Sequence, residues 1–245
     1  MKKLSKKATE EMESSYQYLF EKIMKDKRKD LSLFVGSFRE QLIKEEKLRS
    51  YSDLVALDIL YFHSVNNNDE PWKGREAANE AFHVLESRET TFEKEEAISA
   101  YLQLAEVFNY LEDVDRERRC YDHASYLAFL TKDREKSVFA KENEIKLVWR
   151  YPEEERKSLF PTKETLMLQF GLAEGKRLFE LESVEPKTRH DPIETNPLFI
   201  KIIDKVNVAL KEYFDNNKDN FSLENYNSRK HKMLLEYGID WKAPY

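Results

Sequence analysis

The sequence predicts an all-α protein built of antiparallel helical hairpins, and three observations carry that prediction. Apolar residues recur at steps of three and four along almost the whole chain, the spacing that gathers them on one side of a helix. Glycine and proline are scarce, 5 and 7 in 245 residues, so the turn chemistry of a hairpin-rich β fold is missing. Charged residues make up 36% of the chain, a density that suits the solvent faces of helices. The 40% apolar and 13% aromatic content can fill a core, which argues against disorder.

Leu4, Ala8, Met12, Tyr16, Leu19, Phe20 and Ile23 share one helical face. Leu31, Phe34, Phe38, Leu42 and Ile43 repeat the pattern after a polar break at 25–30. Ser50, Ser52 and Asp53 offer capping groups before residues 54–62, a nearly unbroken apolar run that reads as a central helix buried on most sides. The polar stretch 66–71 predicts a loop, and a helix follows over about 72–88. Thr90 and Glu93, three residues apart, predict a reciprocal cap for a helix running to about Leu111. The helix breaks at Glu112 and Asp113 and resumes to about Leu130. The next spans roughly 134–151 and stops at Pro152, which cannot continue it.

Pro161 and Thr162 introduce one long helix that ends near Ser183. Pro186, Pro192 and Pro197 then punctuate a mostly polar stretch. Residues 184–196 therefore read as a linker between a hairpin array over 1–183 and a C-terminal helical pair over 197–245. Asn196 and Pro197 supply a cap and a first-turn proline. Phe199, Ile202, Ile203, Val206, Leu210 and Tyr213 follow at helical spacing, the strongest amphipathic face in the chain. A last helix over about 223–237 stops at Gly238. Trp241, in the short tail beyond, predicts docking back onto the body.

The lone Cys120 excludes an intrachain disulfide and fits a reducing compartment. Lysines at positions 2, 3, 6 and 7 are followed by Glu10, Glu11 and Glu13, where an export signal needs an apolar core. No apolar run approaches the ~20 residues of a membrane span. The expectation is a cytoplasmic chain with no membrane partner, in which the sequon beginning at Asn220 carries no weight. The net charge of −6 is uneven, +4 over residues 1–50 and −7 over 51–100. An acidic balance disfavours nucleic acid as a partner.

Tyr101, Leu104, Ala105 and Phe108, followed by Tyr121 and Ala124, stand at the spacing of large, small and aromatic positions in a tetratricopeptide unit, which residues 101–127 resemble. Small residues let two helices approach while aromatics fill the space beside them. Glu112 departs from that family's turn glycine and Glu117 from its small residue. Weaker echoes lie at Phe170 to Ala173 and at Ala78 to Ala81. The resemblance implies a short stack of helical hairpins whose concave face binds a peptide or protein. It also implies that Glu106, Asn109 and Tyr110 point into that groove. An irregular helical bundle is the alternative architecture.

Catalytic chemistry is sparse. Glu80 and His83, one turn apart, form a single carboxylate–imidazole pair where a bundle metal site needs two, and the histidines lack zinc spacing. Cys120 and His123 are helical neighbours without an oxyanion hole. Arg118 and His123 resemble the R-x4-6-H signature of HEPN ribonucleases, which would make the arginine a phosphate ligand and the histidine a proton-transfer group. Arg119 departs from the polar residue that those enzymes favour. The expected function is thus a non-enzymatic protein- or peptide-binding module (adaptor, inhibitor or sensor) with no cofactor or metal. The alternatives are a metal-independent HEPN-like ribonuclease using Arg118 and His123, and a structural homo-oligomer pairing through the 199–213 face.

Overall fold

The computed structural model describes residues 35–37, 40, 51–66, 71–217 and 221–244. Residues 35–37 and 40 are helical, and the rest of the faces read over 4–43 lies outside the described residues, as does most of the 66–71 loop. The described residues form α-helices and short 3-10 turns, with no strand among them: α1 (Tyr51–Asn66), α2 (Pro71–Arg88), α3 (Lys94–Tyr110), α4 (Val114–Leu130), α5 (Arg134–Val148), α6 (Glu153–Leu159), α7 (Lys163–Phe170), α8 (Leu172–Glu180), α9 (Pro197–Asn216) and α10 (Leu223–Glu236). The all-α expectation holds. The chain divides into two compact units, Met1–Val107 and Phe108–Tyr245, and residues 184–196 lie within the second. No helix among the described residues is long and apolar enough to cross a membrane.

In the first unit, α1 is buried on most sides, as its apolar run predicts: Val55, Leu57, Phe62 and Val65 are almost inaccessible. It packs against α2, which turns Ala77, Ala78 and Ala81 inward so that the two backbones can approach. The reciprocal cap expected from Thr90 and Glu93 does not form. Thr90 and Thr91 lie in a 3-10 turn (Glu89–Thr91), where the Thr91 hydroxyl donates back to the Arg88 carbonyl at 2.7 Å. Helix α3 begins only after that turn. Its buried Tyr101 satisfies its hydroxyl by donating to Glu89 Oε2 at 3.0 Å.

In the second unit, two consecutive turns share one design. Glu112 and Lys132 adopt left-handed backbone, φ 54° and 63°. The Asp113 and Asp133 amides then donate to the Phe108 and Ala128 carbonyls at 2.9 Å each, closing the preceding helix. Each aspartate next caps the following helix, accepting from the Arg116 or Lys136 amide and pairing with that residue's cation at 2.7 and 2.8 Å. Helices α4 and α5 meet over Ala124, Ser125, Ala128, Ser137 and Ala140, all buried. There the Ser125 hydroxyl donates to the Ser137 carbonyl at 2.9 Å, and the Ser137 hydroxyl returns the bond to the Ser125 carbonyl at 2.8 Å.

The long helix expected to end near Ser183 is broken. Gly171 sits at φ 82° and ψ 169°, a conformation open almost only to glycine, and it separates α7 from α8. The two short helices fold onto each other so closely that a Cβ on Gly175 would lie 2.6 Å from the Leu166 carbonyl oxygen. Phe170 and Ala173 therefore stand on different helices, and the repeat echo read there is not a pattern on one helix face. Helix α6, after Pro152, was not expected at all.

Phe199, Ile203, Val206 and Leu210 on α9, Leu234 on α10, and Ile239 and Trp241 of the tail form one core. Trp241 is docked as predicted, 2% exposed. The α9 face expected to pair between chains is instead covered by the chain's own α10 and tail, which corrects that oligomer reading. Glu112, at the α3–α4 turn, accepts from Lys230 Nζ and from Asn207 Nδ2 at 3.1 Å, fastening the turn to α10 and α9.

Candidate functional site

Glu106, Asn109 and Tyr110 share the exposed side of α3, while Leu104, Ala105 and Phe108 are buried. Tyr110 is 59% exposed, high for an aromatic residue on an ordered helix. Glu106 faces His63 from a distance: burial pushes the imidazole's pKa down, and the Glu106 charge opposes it in part. Tyr110 lies near Tyr226, whose phenol is raised by burial, by Glu112 and by Tyr110 itself.

Arg118 and His123 stand five residues apart on α4. Residues five apart on a helix diverge by about 140° around its axis. The Arg118 guanidinium, only 15% exposed, points at Glu144 Oε1 (3.8 Å), Asp115 Oδ1 (4.0 Å) and the Tyr151 hydroxyl (3.4 Å). Tyr151 in turn donates to Asp115 at 3.1 Å, and burial together with Asp115 raises its phenol. Lys141 joins the network, bonded to Asp122 at 2.9 Å and to Glu144. Burial alone would raise Asp122, but Lys141, His123 and Arg118 hold it low. Cys120 is fully buried. Glu80 and His83 both face outward. Among the described residues no group of three metal-ligating side chains comes together.

The site that sequence reading missed is a cavity of about 260 Å³ beside Glu117. Helix α4 supplies Glu117. The C-terminal end of α5 and the residues just after it supply Asn143, Lys146, Leu147, Trp149 and Arg150, and Pro186, Thr188 and His190 close the third side. Arg150 is fixed from behind: its Nη2 lies 2.6 Å from Glu194 Oε2. Glu194, 2% exposed, also meets His190 Nδ1 at 3.1 Å and accepts from Trp241 Nε1 at 2.9 Å. Burial works against its ionisation, yet His190, Arg150 and Trp241 bring it down to about 2. The Trp149 ring has the Arg156 guanidinium 5.1 Å from its centroid and meets Phe160 in a T-shaped contact, ring centroids 5.9 Å apart.

Three residues that line it also carry a polar atom closed off from solvent and without a hydrogen-bond partner in the protein: Glu117 Oε2, Trp149 Nε1 and Arg150 Nε. The Glu117 pKa is raised to about 7, mainly by burial, with Asp113 adding to the shift and Arg150 opposing it. One signal was visible in the sequence, since Glu117 occupies the position where the tetratricopeptide spacing asks for a small residue. Searches of protein-family models, curated proteins and solved structures find no match for this chain.

Proposed function

We propose that the chain is a non-enzymatic helical module that binds a protein or peptide partner through the exposed side of α3, as an adaptor, inhibitor or sensor. The observation that carries this reading is Tyr110, an aromatic side chain 59% exposed beside Asn109 and one turn beyond Glu106. Tyrosine offers contact area and a hydroxyl with few torsions to freeze, the profile of an interface anchor. The Asn109 amide can both donate to and accept from a partner's backbone, and Glu106 favours a basic residue opposite it. The tetratricopeptide-like spacing supports the same reading, because Tyr101, Leu104, Ala105, Phe108 and Ala124 are all buried, as its packing requires. A cytoplasmic setting fits the single, buried Cys120.

The test is co-purification with the tagged chain, followed by affinity measurement on the partner recovered. Tyr110→Ala is expected to weaken binding at least ~30-fold, the effect of losing an interface anchor, and Asn109→Ala by roughly tenfold. Unchanged affinity in both variants would remove the α3 face from the interface.

A further inference from the structure

Helix α1 packs chiefly against α2, and a groove of about 500 Å³ runs between α1 and α3, all of it within the first unit. Ala56 and Ala100 give it small apolar side chains that solvent reaches, while Val55, Ile59 and Phe92 close its floor. Along its α3 edge stand Glu95, Glu96, Ser99 and Gln103, all exposed. Glu95 and Glu96 pair with no cation among the described residues, and no lysine, arginine or histidine lines the groove. The stretch 51–100, which supplies all of its lining but Gln103, carries 4 basic and 11 acidic residues. The α3 edge also continues past the groove. Glu96, Ser99, Gln103, Glu106 and Tyr110 follow one another at steps of three and four, so one exposed side of the helix carries both the groove wall and the proposed anchor.

We propose that this groove receives a basic amphipathic helix of the partner, an assignment that rests on the α3 reading and adds the partner's chemistry to it. Small side chains at Ala56, Ser99 and Ala100 let the backbone of a further helix approach closely. Its aliphatic side chains enter the groove, whose volume lies inside the ~300–1,000 Å³ of ligand pockets. Its lysines or arginines meet Glu95, Glu96 and Glu106. Glu96 and Glu106 stand about 15 Å apart along the α3 axis, a span that a facing helix covers and a small cation does not. An acidic helix would meet like charge along the whole edge.

The probe is a labelled peptide of about 20 residues, long enough for a helix, with lysines on one face and leucine and alanine on the other. Its twin has glutamate for every lysine. Both are titrated into the full chain at about 0.15 M salt and followed by fluorescence anisotropy. The lysine peptide is expected to bind at least ~30-fold more tightly than its twin. Glu95→Lys combined with Glu96→Lys, at exposed positions, is expected to weaken it about tenfold. Glu153→Lys combined with Glu154→Lys makes the same change of net charge on α6, in the second unit, and is expected to weaken it less than ~2-fold. Ala100→Trp fills the groove, leaves the charges and is expected to weaken binding about tenfold. Absent binding of the lysine peptide, equal binding of its twin, equal losses in the two charge variants, or affinity untouched by Ala100→Trp overturns the proposal. A recovered partner weakened by Tyr110→Ala but indifferent to the groove variants removes the groove and keeps the α3 reading. One weakened by the groove variants alone keeps the groove and removes Tyr110 as the anchor.

Discussion

Lys230 Nζ lies 2.9 Å from Oε2 and 3.1 Å from Oε1 of Glu112, a residue in left-handed backbone at the turn between α3 and α4. At this turn the chain accepts an unfavourable φ and uses the side chain to hold α10, whose Lys230 is buried.

That trade is separable by substitution. Glu112→Ala should cost about 3 kcal/mol in urea unfolding, because it leaves Lys230 buried without its carboxylate. Glu112→Gly should recover about 1 kcal/mol of that loss by relieving the φ of 54°. Lys132, in the same conformation one turn later, should gain up to about 1 kcal/mol when changed to glycine. A loss at Lys132→Gly would show that its side chain, not its backbone, matters.

Glu194 sets an acid limit on the C-terminal tail. Its folded pKa of about 2 lies below the ordinary 4.5, so the stability it contributes is complete above about 4.5 and drains away as pH falls toward 2. With Trp72 and Trp149 changed to phenylalanine, Trp241 emission should shift to the red across that interval. Glu194→Gln should lose about 3 kcal/mol at pH 7, since Arg150 then loses the carboxylate bonded to it, and should flatten the transition. An unchanged transition in that variant would assign the acid response to another carboxylate.

Glu117 works in the opposite sense. Its folded pKa of about 7 lies above the ordinary 4.5, so the stability it allows at low pH declines as pH rises from about 4.5 to 7. Glu117→Gln should therefore be more stable than the wild type at pH 8, by up to about 3 kcal/mol, with little difference at pH 4. Guanidinium titrations at the two pH values check this; parallel offsets at both would refute it.

The α7–α8 fold-back has two separate requirements. Gly175→Ala puts a methyl 2.6 Å from the Leu166 carbonyl oxygen and should cost about 3 kcal/mol through forced separation of the helices. Gly171→Ala meets no neighbour, yet should cost about 1–3 kcal/mol through its φ of 82° alone. Thermal unfolding of the pair, separately and combined, tests both. Since the two costs have different origins in the same corner, the double variant should not exceed their sum.

Helical periodicity made most of this architecture legible. The cap at Asn196, the buried run of α1 and the docked Trp241 all follow from local chemistry that one stretch of sequence displays. The break at Gly171 was hidden because Leu166, Phe170 and Leu178 keep helical spacing on both sides of it, so only the backbone angle of one residue marks the corner. Residues 184–196 read as a polar linker because composition cannot separate an exposed glutamate from Glu194, which meets Arg150, His190 and Trp241. The Glu117 cavity escaped notice for the same reason. Its walls come from three separate stretches, and a buried acid is spelled like a surface one.

The two hydroxyls joining α4 and α5 limit how this chain can evolve. Ser125 and Ser137 each satisfy the other helix's carbonyl, so each is both a donor and a spacer. Losing one hydroxyl removes one of the two bonds that join the helices, and enlarging one side chain drives the backbones apart at the other. Neither position can drift by itself. In descendants of this sequence the two are expected to change together, as a pair of alanines or glycines, or to stay as they are.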